Sequence, residues 1–473
     1  MSKLYIFGIG GTGSRVLRAL TMLLASGVRC KADAIVPIVI DPDEAGGDVE
    51  RAATLMRHYV EVRKHLVFSD NICNGFFRTE IKQIVNNFHM PLSNTSDSLF
   101  KDYIEIDSMP KSNNALANAL FSEKNLNSEM TVGFKGNPNI GSVVLNQFET
   151  SEAFAQFANG FEPTDKIFII SSIFGGTGAS GFPLLVKTLR TSQTIVNPNL
   201  VNNAPIGAIT VLPYFKVEPD DESQIDSSTF VSKTRSALSY YDRTFNRQEG
   251  NNRPNMIYYI GDDQRSTVYE NNEGGAKQRN NAHFIELASA LAVIDFANTE
   301  SIQPNDCIYK EFGIEKDTND IILGNLDYAT RSLIAKPMTQ FVLFAKYLRD
   351  MGDFFGQPWA KDRGIDSSFV QDHFFQNLKN NILLEYLNWL DEMSSQQRAF
   401  SPFETGIDNE RVFNLIKGQD PKKVASLDRN YDLFNNRLNI FNRSVTEGEI
   451  VQQFMELFYK ATEKLCKEKL NII

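Results

Sequence analysis

Cysteine is scarce in this chain. Its four residues, Cys30, Cys73, Cys307 and Cys466, lie far apart with no CxxC pair. Neither a zinc site nor a disulfide framework is legible, and a reducing compartment fits best. The five histidines are scattered, and no Ser-His-Asp, Cys-His or clustered His/Cys pattern argues for hydrolase or metal chemistry. Long apolar runs are missing too. The longest, AIVPIVI (Ala34 to Ile40) and KIFIISSIF (Lys166 to Phe174), are far too short to span a bilayer. The opening MSKLYIFGIGG enters a strand at once and lacks the basic-then-apolar order of a signal peptide, so a soluble cytoplasmic protein is expected. Positive charge is in deficit, 48 Lys and Arg against 58 Asp and Glu, for a net charge of -10. That balance disfavours a phosphate backbone or an anionic membrane, so neither nucleic acid nor membrane is an expected partner.

What is present is ordinary globular material: 473 residues, 42% hydrophobic, with 35 Phe to pack a core. The length exceeds what one core usually serves, which suggests a large domain plus a second one. Over the first 300 residues short apolar runs alternate with longer helix-like stretches, the pattern of a parallel sheet with crossover helices. Strands are expected near Lys3 to Phe7, Ile35 to Ile40, Lys166 to Ser171, Ile206 to Leu212 and Met256 to Ile260. The segment Ser93 to Asn127, rich in Ser, Asn and Asp, reads as loop or insertion. From His283 to Phe296 the sequence is apolar almost all round, which marks a buried central helix. A polar stretch, residues 301–320, reads as a connector. Residues 321–473 read as a mostly helical C-terminal domain, with Phe374, Leu378, Ile382, Tyr386 and Leu390 in four-residue steps and a capping box at Thr446 and Glu449 before the last helix.

Three glycine-rich turns carry the chemistry. GIGGTGSR, Gly8 to Arg15, follows the first strand and opens a helix. Gly10, Gly11, Thr12 and Gly13 there allow backbone amides and a helix N-terminus to approach phosphate. This turn alone equally satisfies a dinucleotide fingerprint, with Asp41 at the end of the second strand placed to hold a ribose. FGGTGASG, Phe174 to Gly181, again lies between a strand and a helix, and its core is Gly175, Gly176, Thr177 and Gly178. A dinucleotide half-fold has no need of this second set of amides. FKGNPNIGS, Phe134 to Ser142, precedes a helix expected over Val143 to Phe157; Gly136 and Asn137 suit a phosphate turn that Pro138 stiffens.

In order and spacing these turns resemble those of the tubulin/FtsZ superfamily: the second resembles its GGGTGTG-type signature, with Phe174 and Ser180 replacing two glycines, and the third its GGNPxxG loop. The resemblance spans Leu4 to Arg331 and implies a Rossmann-like α/β nucleotide domain over residues 1–300 that binds GTP or GDP with Mg²⁺. It also implies finer roles. Asp43, in VIDPDEAG, would reach magnesium through water, and Glu218, in VLPYFKVE, a ribose. Asp262, in YYIGDD (Tyr258 to Asp263), would touch the base. Glu286, early in the central helix, would accept from guanine's N1–H and amine, with a structural salt bridge as the alternative. GNLDYATR, Gly324 to Arg331, resembles the loop that completes hydrolysis in the next subunit, which makes Asn325 and Asp327 the catalytic candidates; Thr330 stands where an acid is usual. Slow, self-association-dependent GTP hydrolysis by a filament or scaffold element is the leading expectation. A non-polymerising GTP-dependent switch or binding module is the alternative, and an NAD-dependent or adenylating Rossmann enzyme the third.

Overall fold

The doubly apolar runs become the strands of one sheet. In the computed structural model, which describes residues 2–95, 98–220, 223, 225–246, 252–262, 267–314, 318–424 and 430–472, the strands are β1 (Lys3–Ile9), β2 (Ala34–Ile40), β3 (Glu80–Ile81), β4 (Lys166–Ser172), β5 (Ile206–Val211), β6 (Lys216–Val217), β7 (Met256–Ile260), β8 (Val268–Tyr269), β9 (Ile308–Glu311), β10 (Asp320–Ile321) and β11 (Ala399–Phe400). Seven form an all-parallel sheet in the order β3-β2-β1-β4-β5-β7-β9; β6 pairs with β8 and β10 with β11. The inner strands are buried along nearly their whole length, as a sheet covered by helices on both faces requires. β2 tolerates a proline because of where its partner stops. Ile35 and Val39, of the same parity as Pro37, direct their carbonyls to the β3 side, accepting from Lys82 and Met90. β3 pairs only with Ala34 and Ile35, so the N–H that Pro37 lacks has no ladder bond to make there.

Parallel order puts every strand's C-terminal end at one edge, where the turns after β1, β2, β4 and β5 gather. β9 corrects the reading of residues 301–320 as a connector: its four residues pair with β7 and extend the sheet. It is short and mostly exposed, so it lacks the apolar signature that revealed the inner strands. The stretch 93–127 is likewise not plain loop. It contains helices Phe100–Tyr103, Lys111–Leu120 and Glu123–Leu126, the second favoured by alanines at 115, 117 and 119. The helix expected over Val143 to Phe157 breaks into Pro138–Val144, a 3₁₀ stretch Leu145–Thr150 and Glu152–Asn159. Ser151 causes the restart: its hydroxyl accepts from the Phe154 N–H at 3.2 Å, a standard N-cap. The central helix is Phe284–Asn298, buried on all sides.

The C-terminal residues do not build a separate core. Helix Tyr328–Asp350 and helix Ile450–Glu468 share one continuous apolar cluster with the sheet and its helices. Phe76 joins the two parts, its ring edge-on to Phe341 at 5.2 Å and to Tyr459 at 5.1 Å and stacked on Phe344 at 5.7 Å. The four-residue steps from Phe374 to Leu390 form a helical run, but with a wide π segment at Asn377–Leu383. No Thr446–Glu449 capping box forms; the Thr446 N–H donates to Glu456 instead, at 3.1 Å. Charge also bridges the parts. Buried Arg18, on the first helix Gly10–Ala25, pairs with Glu385 at 2.7 Å and Glu392 at 2.8 Å, and Arg51 also pairs with Glu392. Among the described residues no helix is long and apolar enough to cross a membrane.

Because Phe76 is wholly buried between the two parts, Phe76→Ala should cost about 3–5 kcal/mol and lower a single cooperative melting transition. Calorimetry resolving two transitions, with only one shifted, would contradict the shared core.

Candidate functional site

The three glycine turns meet. Gly10, Gly11 and Thr12 after β1, Gly136 in the loop ahead of helix Pro138–Val144, and Gly175 to Gly178 after β4 all line one cleft at the C-terminal edge of the sheet, enclosing about 990 Å³ with its open mouth included. Their contacts bring main chain close to main chain. A β-carbon on Gly176 would lie 3.0 Å from the Asn137 nitrogen and 3.1 Å from the Gly136 nitrogen, and one on Gly10 would lie 3.6 Å from Cβ of Thr177. Gly10 and Gly136 also hold φ of +74° and +73°, a region other residues enter only with strain. The helices Gly10–Ala25 and Gly176–Thr191 both begin at this cleft, so two N-termini direct free amides and partial positive charge into it.

Two carboxyl groups stand beside the turns. Asp41 is buried, accepts the Asp43 N–H at 3.1 Å, and is pushed up to about 7, first by burial and further by the charge of Asp43. Asp43 spends one oxygen on the Gly275 N–H at 2.6 Å. That bond helps staple a strap, residues 272–280, across the cleft, together with the Asp48 N–H to Gln278 carbonyl at 3.0 Å and the Asn280 N–H to Asp48 side chain at 3.2 Å. Among the described residues no cluster of three or more His, Cys, Asp or Glu could hold a metal by itself. Asp41 and Asp43 do fit a hydrated divalent cation whose other donors come from a bound ligand, since Asp41 is a desolvated carboxyl without a cationic partner in its surroundings.

The remaining expected residues are placed as follows. Gly13 lies inside the first helix, where a β-carbon would come within 2.5 Å of the Gly8 carbonyl carbon; its smallness lets helix and strand touch. Asn137 is the N-cap residue of helix Pro138–Val144, with Pro138 at its first position, so both shape the Gly136 turn. Glu218, Asp262 and Glu286 are outside the cleft lining. Glu218 is exposed: Val217 faces the cleft, and strand alternation turns its neighbour away. Asp262 pairs with Arg398, and Asp263 lies outside the described residues. Glu286 is engaged within the chain, accepting from Arg15, from Tyr214 at 2.9 Å and from the His283 N–H at 3.2 Å, the contacts that the salt-bridge alternative describes. His283 in turn accepts the Ile285 N–H at 3.1 Å and is pushed down to about 3, first by burial and then by Arg15 and Arg398, so it caps the central helix as a neutral ring. Asn325 and Asp327 are exposed and outside their own chain's cleft.

Several cleft residues went unassigned in the sequence. Arg15, the last residue of the first motif, lines the cleft and donates to Tyr269 at 3.1 Å and to the Asn281 carbonyl at 2.9 Å. Lys135, inside FKGNP, pairs with Glu273 at 3.0 Å. Gln278 of the strap brings its oxygen within 3.8 Å of a β-carbon position on Gly11. Lys135 and Arg15 stand within the quoted motifs and were legible as cations there. Nothing in the sequence marks Gln278.

No protein-family model matches the sequence, and no curated protein matches it. Among solved structures the chain is similar to CetZ2 from Haloferax volcanii, a GTPγS-bound protofilament, at 14% identity and a TM-score of 0.30 over 63% of this chain and 58% of that one. It is similar to CetZ1 from Haloferax volcanii, a GDP-bound monomer, at 11% identity and a TM-score of 0.33 over 74% of each chain. It is also similar to an FtsZ point mutant from M. jannaschii, at 12% identity and a TM-score of 0.27 over 55% of this chain and 46% of that one. The chain thus spans less than two thirds of the CetZ2 and FtsZ chains it matches.

Asp41 gives the cleft a pH signature. Its folded pKa of about 7 lies above the roughly 3.9 of an unfolded Asp. Its contribution to stability is therefore fully present below about pH 3.9 and lost as pH rises through 7. In urea denaturation of ligand-free protein, Asp41→Asn should exceed wild type in stability at pH 8, with the difference shrinking steadily toward pH 4. A difference independent of pH would contradict the buried, protonated carboxyl.

Proposed function

We propose that the chain binds GTP or GDP, with magnesium, in the three-turn cleft and acts as a tubulin/FtsZ-like, self-assembling GTPase with slow hydrolysis completed at a subunit interface. The observation that carries this reading is the convergence of Gly10–Thr12, Gly136 and Gly175–Gly178 on one cleft. One glycine turn serves the pyrophosphate of a dinucleotide. Three turns in mutual contact, with two helix N-termini, make a cradle for a compact polyphosphate. Magnesium, held through water by Asp41 and Asp43, would supply charge neutralisation for the phosphate oxygens. The role of the protein's own groups is to orient the polyphosphate by backbone amides and to exclude water beneath the strap.

The placement of Asn325 and Asp327 supports action on a neighbouring molecule. They project at the start of helix Tyr328–Asp350, beside Tyr328, an aromatic 78% exposed. A second reading, a GTP-dependent binding module, draws on one specific observation. Asp327 already caps its own helix, accepting from the Thr330 N–H at 3.0 Å and from the Thr330 hydroxyl. The Thr330 hydroxyl holds the Asp327 carboxyl below the usual range, which weakens it as a base. Asp327 and Thr330 thus serve each other, where an acidic residue at 330 would have left two carboxylates for water and cation.

With GTP and magnesium, light scattering should rise with protein concentration, and turnover per molecule should rise with it. Asp327→Ser retains a good capping side chain, so folding stability should change by only about 0.5 kcal/mol, while assembly-linked turnover should fall about a hundredfold. Constant turnover per molecule, unaffected by Asp327→Ser, would instead select the binding-module reading. Gly176→Ala, whose β-carbon at 3.0–3.1 Å from the Asn137 and Gly136 nitrogens would push that turn outward, should weaken GTP binding in equilibrium titration; unchanged affinity would remove the phosphate role of that turn.

A further inference from the structure

Lys233 brings a positive charge to the corner where two of the turns touch. It lies in the first turn of helix Phe230–Asn246, whose first residue, Phe230, lines the cleft. Its Nζ is 3.0 Å from the point where a β-carbon on Gly136 would sit, so the ammonium rests directly on the backbone of that turn. The Gly136 nitrogen is itself 3.1 Å from the corresponding point on Gly176. Ammonium, third turn and second turn therefore share one corner of the site.

Apart from the charge of Asp226, little in the local structure rewards a cation there. A lysine in the first turn of a helix opposes the helix dipole. The side chain is half-buried, although a surface lysine ordinarily extends its charge to water. Burial lowers its proton affinity, offset only in part by Asp226, and among the described residues no carboxylate forms an ion pair with it. Lys135, one residue from Gly136, differs in being neutralised by Glu273 at 3.0 Å. A partly desolvated ammonium, held against a phosphate-type turn without a counter-ion, is the complement of an anionic ligand group.

We propose that Lys233 contacts the terminal phosphate of a nucleoside triphosphate in this cleft and gives the site its preference for triphosphate over diphosphate. The proposal rests on the nucleotide reading above and adds a specificity-determining residue to it. A charge beside the Gly136 turn strengthens only a ligand long enough to reach that turn. Because Lys233 belongs to the same chain as the three turns, its effect is independent of protein concentration, unlike that of a residue supplied by a neighbouring molecule.

The test is equilibrium titration of wild type, Lys233→Met and Lys233→Arg with fluorescent GTP and GDP, at protein concentrations below assembly, alongside the melting temperature of each ligand-free protein. Wild type should bind GTP more tightly than GDP. Lys233→Met should weaken GTP roughly tenfold to a hundredfold, the range of a charge-assisted hydrogen bond, and leave GDP and the melting temperature nearly unchanged; Lys233→Arg should recover part of the loss. Wild-type binding of both nucleotides that Lys233→Met leaves intact, or weakens equally for both, overturns the assignment of Lys233 alone. Wild type that binds neither nucleotide overturns the reading of the cleft and this assignment with it.

Discussion

The site depends on main chain touching main chain around Gly176. Its α-carbon sits so close to the Gly136 and Asn137 nitrogens that a methyl group there would have to displace one of them. The same closeness recurs where Gly13 meets Gly8 and where Gly178 meets Ser172. Missing side chains at these points let two strand-to-helix turns and a third loop converge, and their amides can then face one volume. The parallel sheet supplies the rest of the condition, since it delivers the ends of β1, β2, β4 and β5 to the same edge.

Charge is arranged in two shells around that contact. Behind the first helix, Arg15 is enclosed by Glu286, Tyr214, Tyr269 and Asp48, and Arg18 by Glu385 and Glu392. Such buried pairs add little net stability but are costly to break singly, so they fix how the first helix, the central helix and the C-terminal helices sit together. Glu392 also accepts the Ala282 N–H at 2.8 Å, just ahead of the central helix. At the turns the balance differs: Asp41 lines the cleft, buried without a cation, and Lys233 lies against Gly136 without an ion-pair partner among the described residues.

Much of this was legible in the sequence where a residue's chemistry acts locally. The inner strands announce themselves by being apolar on both faces, and the glycine turns by their position between strand and helix. The edge strand β9 was hidden because an exposed edge carries no such signature. Glu286 shows the limit of local reading: a carboxylate in an apolar helix must find donors, and Arg15 and Tyr214, distant in sequence, supply them within the chain. The exposed position of Glu218, just past β6, was not legible because that two-residue strand exists only through its partner β8. Lys233 and Gln278 were invisible because they approach Gly136 and Gly11 only through tertiary packing.

A crystal structure with a non-hydrolysable GTP analogue and magnesium tests the central claim most directly. The account predicts the phosphates lying against the backbone amides of Gly11, Gly136 and Gly176 together. A nucleotide seated elsewhere, or a nicotinamide cofactor stretched across the first turn with the other two untouched, would contradict it.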